Sequence, residues 1–384
     1  MSEGLSPTAR NIARVASETS PELSRWAFGQ WVLRLRGQDK FQRAQLMLLD
    51  RDALEMASHE QVSAYHASRF PAGELVEDWA CGVGGDLIAL AHRGPAVGYE
   101  LDGVRVGYAL HNLQVYGYDG ESRVVKQDCL ACGNPVYAFC DPSRRSEGKR
   151  TLRLHEFSPN PLEVASRFCL SRLGGIKLSP MLSDRELESF GGCLEFVSFG
   201  GECREALVWL GSERENHGTN HRHAVHIESS SVLAAGLDPP SVEEPSGFLF
   251  EADPAAIRGH CLGELCRSVG LQGLGDSNGY LTGKASVSSP WLTRYEVITC
   301  HPADIKRTRS ALKELGAGTP IVKCRGTRLD VQAMRRDLRG VGDEVVVAVY
   351  PVGRSLRHVI CRRPVASSHM NTLSGWPLGC EFRT

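Results

Sequence analysis

The stretch DWACGVGGD, Asp78 to Asp86, sets three glycines in nine residues between an apolar run, ELVEDWA, and a helical one, DLIALAHR. A strand that breaks into glycines and then enters a helix is the nucleotide-cradling turn of a doubly wound α/β sheet, because glycine alone lets the backbone close on a ligand. A dinucleotide loop needs a third spaced glycine, and Leu87 stands there. Asp86 at the helix start adds a charge that would repel a pyrophosphate, and no Lys-Ser or Lys-Thr follows to make a Walker loop. The loop therefore predicts a nucleoside ligand without phosphates.

The pattern around it supports that sheet. From Glu74, apolar strands alternate with helices: ELVEDWA, AVGYE, SRVVKQD, VYAFCD and GIKLSP, then two closing strands, CLEFVSFG and EALVWLG, joined by a Gly-Gly turn. Seven strands are expected, over residues 71–228. Residues 1–70 read as a helical prefix, with Ser20-Pro21-Glu22 capping a helix whose stripe starts at Leu23, Trp26 and Ala27. A second helix is expected from Phe41 through Ala44 and Leu48, and Ser58 with Gln61 reads as a capping box. A polar linker over 229–246 precedes a smaller α/β domain at 247–363, where Asp253-Pro254 caps a helix bearing Ile257, Cys261 and Leu265, and 364–384 reads as a loose tail.

S-adenosylmethionine fits such a loop. Its ammonium and carboxylate call for a close backbone and a nearby acid, which Gly82, Gly84 and Asp78 supply, with Cys81 and Cys129 in the same loops. Glu100, 18 residues past Gly82 at the end of the second strand, is placed for both ribose hydroxyls, and Asp128, after the third, for the adenine amine.

Composition narrows the setting. No uncharged apolar run approaches the roughly 18 residues of a membrane span, so a cytoplasmic protein without membrane contact is expected. Thirteen cysteines, an odd number, do not make a secreted disulfide framework, and the lone CxxC at Cys129 and Cys132 lacks a second pair to hold zinc. The histidines 217, 221, 223 and 226 lie in a polar stretch that reads as a solvated loop, so no metal is expected. Between Cys300 and Arg363, fourteen Lys and Arg face six Asp and Glu, a net +8 in a chain whose total is −1. That segment is either a polyanion-binding surface or a solvated basic helix face.

DWACGVGGD, YELD, KQDCL and AFCDPSRR together resemble the successive motifs of class I S-adenosylmethionine-dependent methyltransferases, whose seven-stranded Rossmann-like sheet ends in such a hairpin. KFQRAQLMLLDRDALEMAS, YHASRF, IKLSP, REALVWLG and FLFEADPAAIRG…GYLT…KCRG resemble a bacterial subgroup with a C-terminal THUMP-like domain, and the glycine loop is also similar to that of trimethylguanosine synthases. The resemblance implies a methyltransferase acting on RNA, tRNA or rRNA, docked by the basic domain. In amino-methylating relatives the motif after the fourth strand reads Asn, Asp or Ser, then Pro-Pro and an aromatic. The polar oxygen accepts the amine hydrogens and the aromatic stacks on the base.

Asp141 and Pro142 match this motif, and Asp141 is the expected catalytic residue; Ser143 and Arg144 depart from it. Arg144 and Arg145 are open to three roles: nucleotide contact, an internal bridge, or a clamp on a small acid. Lys177 is expected as a third contact on the same rim. A small-molecule or protein methyltransferase, and a non-catalytic RNA-binding protein that keeps the fold, stand as alternatives.

Overall fold

A computed structural model describes residues 6–146, 149–214 and 222–363, without the side chains of 145, 146, 149 and 150. The expectations for His217, His221, the tail from 364 and the Arg145 side chain fall outside the described residues. Among those described, the chain forms two compact units: the first runs to Leu194 and resumes at Ala206, and the second takes Glu195–Glu205 and the residues from 222 onward.

The site's sheet contains strands β1 (Val76–Trp79), β2 (Ala96–Glu100), β3 (Arg123–Lys126), β4 (Tyr137–Cys140), β5 (Leu173–Leu178), β6 (Cys193–Phe199) and β7 (Glu202–Leu210), of which β6 from Glu195 and β7 as far as Glu205 fall in the second unit. Among the described residues they are seven of the nine strands of one sheet, whose order is β3-β2-β1-β4-β5-β7-β6 followed by Arg222–His226 and Ser231–Ala234, two more than the seven expected. β1 runs parallel to β2 on one side and to β4 on the other, β5 runs parallel to β4, and β7 is antiparallel to β5. The chain thus leaves β1 one way and returns to its other side for β4. Ligands of such sheets bind at the carboxyl ends of the strands where the order switches. The division between units runs through the β6–β7 hairpin rather than through the polar stretch after 228.

Helices α1 (Ala9–Glu18), α2 (Pro21–Gly37), α3 (Arg51–Met56) and α4 (Glu60–Ser68) precede β1, and α5 (Gly85–Ala91), α6 (Gly103–Tyr116), α7 (Pro161–Phe168) and α8 (Asp184–Glu188) follow in the alternation. Ser20 caps α2 through Leu23 N at 3.1 Å, with Pro21 at the first helical position. The rest of the prefix corrects the sequence reading. Leu23 and Trp26 lie on the exposed face of α2, which buries Ser24, Phe28 and Gln30 instead. Gln30 is drawn inward by two bonds to the Leu49 backbone, at 2.7 and 3.0 Å. The run from Phe41 is no helix but successive turns closed by i→i+3 bonds, Phe41 to Ala44 and Ala44 to Met47, which bury Phe41, Ala44, Met47 and Leu49. The cap of α4 is His59, whose Nδ1 accepts from Gln61 N, because the Ser58 hydroxyl is engaged elsewhere.

The second unit centres on the long strand Leu292–Pro302, antiparallel both to Phe248–Ala252 and to Ser355–Arg362. Ser355–Arg362 pairs antiparallel with Val346–Val352, which runs parallel to Ile321–Cys324. Alternation along Val346–Val352 sends Val346, Ala348 and Tyr350 to one core, with Tyr280 and Tyr295. Val347 and Val349 join a second core with Leu312, Met334 and Leu338, which α11 (Ile305–Glu314) and α12 (Val331–Asp337) bring or adjoin. The polar linker is not structureless, for Ser231–Ala234 pairs with Arg222–His226 and Ser241–Val242 with Gln272–Leu274. His223, expected on a solvated loop, is buried in the first of these pairs, its Nε2 2.7 Å from Glu195 Oε2. Asp253 does cap a helix, but α9 (Pro254–Arg258) stops at Gly259, and Cys261 and Leu265 go with α10 (Leu262–Val269).

Candidate active site

A cavity of about 510 Å³ opens at the carboxyl ends of β1, β2, β3 and β4. Asp78, Cys81, Gly82, Glu100, Asp128, Cys129, Asp141 and Arg144 all line it. Gly84 is the residue before α5 and does not itself line the cavity. The loop takes its shape from left-handed backbone at Ala80, Gly82 and Gly84, with φ of 67°, 57° and 90°. The close contact that a third glycine would give is made from the opposite side. A Cβ at Gly98 in β2 would lie 2.7 Å from the buried Leu87 side chain and 2.8 Å from Cys81 Sγ, so the strand supplies the glycine and the helix the leucine.

Each acid is held differently. Glu100 accepts from Gly82 N at 3.0 Å and from Asp102 N at 2.9 Å, which fixes its carboxylate across the loop. Asp128 accepts from Leu130 N at 2.9 Å. Asp78 is 2% exposed, and its Oδ2 has no hydrogen-bond partner among the described residues. Burial, then the charges of Asp86, Asp141 and Glu100, push its carboxyl well above the ordinary range. A buried carboxylate oxygen left without a donor is the counterpart an ammonium group requires. The thiols add no charge, since burial raises Cys81 well above its ordinary value and Cys129 to about 12.

Asp86 corrects part of the argument against phosphate. It starts α5, but it is buried and faces His66 of α4, Nδ1 to Oδ1 at 2.8 Å, while the imidazole stacks on Phe139 at 4.6 Å. Burial pushes the carboxyl up, yet His66, with Lys177 and Ser63, outweighs it and the net shift is downward. Its charge is thus met inside the protein. The exclusion of a dinucleotide then rests on Leu87 and on the buried, unsatisfied Asp78.

Lys177 is also placed differently from expectation. It is no rim residue: at 7% exposure it is buried in β5, donating to Asp141 Oδ2 at 2.7 Å and to Ser58 Oγ at 2.8 Å. Every residue of β5 is buried, so a lysine there must find an internal partner. Burial raises the Asp141 carboxyl most, Lys177 lowers it, and the net direction is up.

Sequence reasoning missed five contributors. Ala53, Met56 and Ala57, from α3 and just after it, line the cavity, so the helical prefix belongs to the site. Lys40 Nζ holds that segment by the carbonyls of Leu54, Glu55 and Ala57, at 2.9, 3.2 and 2.6 Å. Phe157 reaches the wall because Ser143 and Ser158 exchange two backbone bonds, 2.8 and 3.1 Å, beside the Asp141-Pro142 turn. DALEMAS and YHASRF stood in the motifs quoted above, and they were the available signal for Met56, Ser58 and His66.

The chain is similar to known proteins in both of its parts. The THUMP domain-like family matches residues 292–363. Two Mycobacterium tuberculosis proteins, from strains CDC 1551 and H37Rv, each named an uncharacterized S-adenosylmethionine-dependent methyltransferase, are 29% identical over 327 residues, 82% of this chain and 88% of theirs. A crystal structure from Porphyromonas gingivalis W83, titled as a candidate methyltransferase, superposes with a TM-score of 0.71 at 18% identity, covering 92% of this chain and 97% of that one. The first unit has the class I methyltransferase fold. The second unit carries the THUMP-like segment.

Proposed function

We propose that this protein is an S-adenosylmethionine-dependent methyltransferase whose acceptor is an exocyclic amine of an RNA base, in tRNA or rRNA. The observation that carries the cofactor is Asp78, a buried acid with an unmatched oxygen beside a left-handed glycine loop, in a cavity that also holds Glu100 and Asp128. Asp78 and the loop backbone hold the methionine end, Glu100 the ribose hydroxyls and Asp128 the adenine amine. When bound, the cofactor supplies an electrophilic methyl group on a sulfonium.

The chain's own part is positioning, which is how an enzyme assists an in-line displacement. Asp141 accepts a hydrogen of the acceptor amine and turns the nitrogen lone pair into the cavity. That nitrogen would receive the methyl group the cofactor supplies, the electron pair of the carbon–sulfur bond being kept by sulfur. The surplus amine proton leaves through the Asp141 carboxylate to water. Phe157 stands in for the aromatic absent after Pro142 as a wall for the base, and Arg144 contacts the nucleotide at the mouth.

RNA is favoured by the second unit. Lys306, Arg307 and Lys313 on α11, and Arg335 and Arg336 on α12, are exposed within the THUMP-like segment, forming the surface a phosphate backbone requires. The test is tritiated S-adenosylmethionine incubated at low salt with RNA from a strain lacking this gene, followed by nucleoside mass spectrometry. One labelled N-methylated nucleoside is expected. No label in RNA, with label in a protein or small-molecule fraction, would overturn the acceptor; no binding of the cofactor in equilibrium dialysis would overturn the reading as a whole.

A further inference from the structure

An ammonium inside an all-buried strand is costly unless it is paired, and the pairing of Lys177 is specific. Its Nζ meets Asp141, 36 residues earlier, and Ser58, 119 residues earlier in the segment between α3 and α4. Asp141 lines the cavity and its side chain is 24% exposed, whereas that of Lys177 is 8% exposed and lies behind it.

We propose that Lys177 is the positioning residue of the acceptor carboxylate. It holds Asp141 ionised and pins one of its two oxygens, leaving the other for the acceptor amine, and Ser58 fixes the lysine from the N-terminal region. The inference rests on the reading of Asp141 as the group that orients the amine. An unpinned carboxylate presents either oxygen and rotates; a pinned one offers a single acceptor in one direction.

The surroundings of Asp141 make the lysine necessary. Asp86 from α5 and Asp78 from β1 are like charges, with His66 of α4 bound to Asp86, and Cys140 precedes it as a protonated thiol. Arg144, in the turn that follows, is a second cation whose charge favours the ionised Asp141. With Lys177 neutralised, burial and Asp86 oppose ionisation against Arg144 alone. The carboxyl then takes up a proton at higher pH and ceases to be an acceptor.

The test uses the full chain with aspartate-selective 13C labelling, the Asp141 resonance being assigned by its loss in Asp141→Ala. In Lys177→Met the Asp141 titration midpoint should rise by about one pH unit or more. The acid limb of kcat for methyl transfer to RNA from the deletion strain should move with it, giving ~tenfold less rate on that limb. Lys177→Arg, which keeps the charge, should return both midpoints toward wild type. Should Lys177→Met fail to fold, Lys177→Gln keeps the hydrogen bonding without the charge and carries the same expectation. An unchanged carboxyl midpoint in the folded neutral variant would overturn the inference. If the wild type transfers no methyl to RNA, the acceptor reading falls, while the carboxyl titration still judges the lysine.

Discussion

Asp78 in the first unit and Glu251 in the second are both largely buried acids, and they are treated in opposite ways. Glu251 has Lys323 Nζ at 2.6 Å on one oxygen and Arg325 at 3.1 Å on the other, with the Tyr295 hydroxyl also donating. Burial pushes its carboxyl up, but the lysine and arginine prevail and the net direction is down. Asp78 has burial and three like charges, an unmatched oxygen, and a net shift upward. A saturated carboxylate holds a fold together; one left short of donors takes up a proton more readily and can be completed by a cationic ligand. Two of the basic residues that give the C-terminal segment its +8 are therefore paired internally, and the KCRG motif that supplies them clamps Glu251.

The contrast breaks first at Asp141, where the largest effect is expected. Asp141→Ala should lower methyl transfer by about 10²–10³-fold, the range for losing one preorganised polar group at a reacting centre. Cofactor binding should change far less, as judged by equilibrium dialysis on the same sample. Equal losses in both would make Asp141 part of the cofactor seat instead.

Asp78→Asn comes next. With Asp78 as the proposed partner of the methionine ammonium, losing its charge should weaken S-adenosylmethionine by about 10–100-fold, from roughly 1.5–3 kcal/mol for a hydrogen bond to a charged group. The pH dependence has a definite sign. Because the Asp78 carboxyl is raised, wild-type affinity should fall as pH drops through that raised value, and the Asn variant should lack this limb. An Asn variant that keeps the limb would show that Asp78 is not the group that produces it.

Glu251→Gln sharpens the other half of the comparison. It should destabilise the second unit by about 1–3 kcal/mol in urea unfolding, since Lys323 and Arg325 remain partly exposed and solvent relieves part of the loss. Cofactor affinity should stay at the wild-type value. With its folded pKa below the unfolded one, Glu251 contributes above the unfolded value, and the contribution is lost as pH falls through the folded one. The difference between variant and wild type should therefore shrink in acid.

What the sequence made legible follows from where these groups sit along the chain. Gly82, Gly84, Glu100, Asp128 and Asp141 stand at strand ends or in the turns after them, so local periodicity alone places them on one edge of a parallel sheet. The seven strands were readable for the same reason. Lys177, Ser58, His66 and Phe157 owe their positions to partners 119, 119, 20 and about 15 residues away, across layers that no local pattern encodes. Ser58 shows the limit well. Its spacing to Gln61 satisfies a capping box, but a buried ammonium is the stronger claimant for the hydroxyl, and His59 takes over the cap. The run from Phe41 fails as a helix because Met47 and Leu49 both turn inward, a period of two at its end that a helix cannot bury on one face.

The smallest effect is expected on the exposed charges, where no single residue is saturated or starved. Lys306 and Lys313 on α11 are solvent-exposed, whereas Lys323 at 29% side-chain exposure is held by Glu251. Lys313→Ala should weaken RNA binding only a few-fold and lower the slope of log affinity against log salt by about 0.7, one single-strand phosphate contact. Lys323→Ala should leave that slope unchanged while lowering stability, because its charge is already committed. The same substitution type at two lysines of one segment then reads out two quantities, affinity at one and stability at the other. A slope that falls equally at both would mean that Glu251 does not hold its lysine in solution, and the distinction between saturated and available charge would fail where it is easiest to measure.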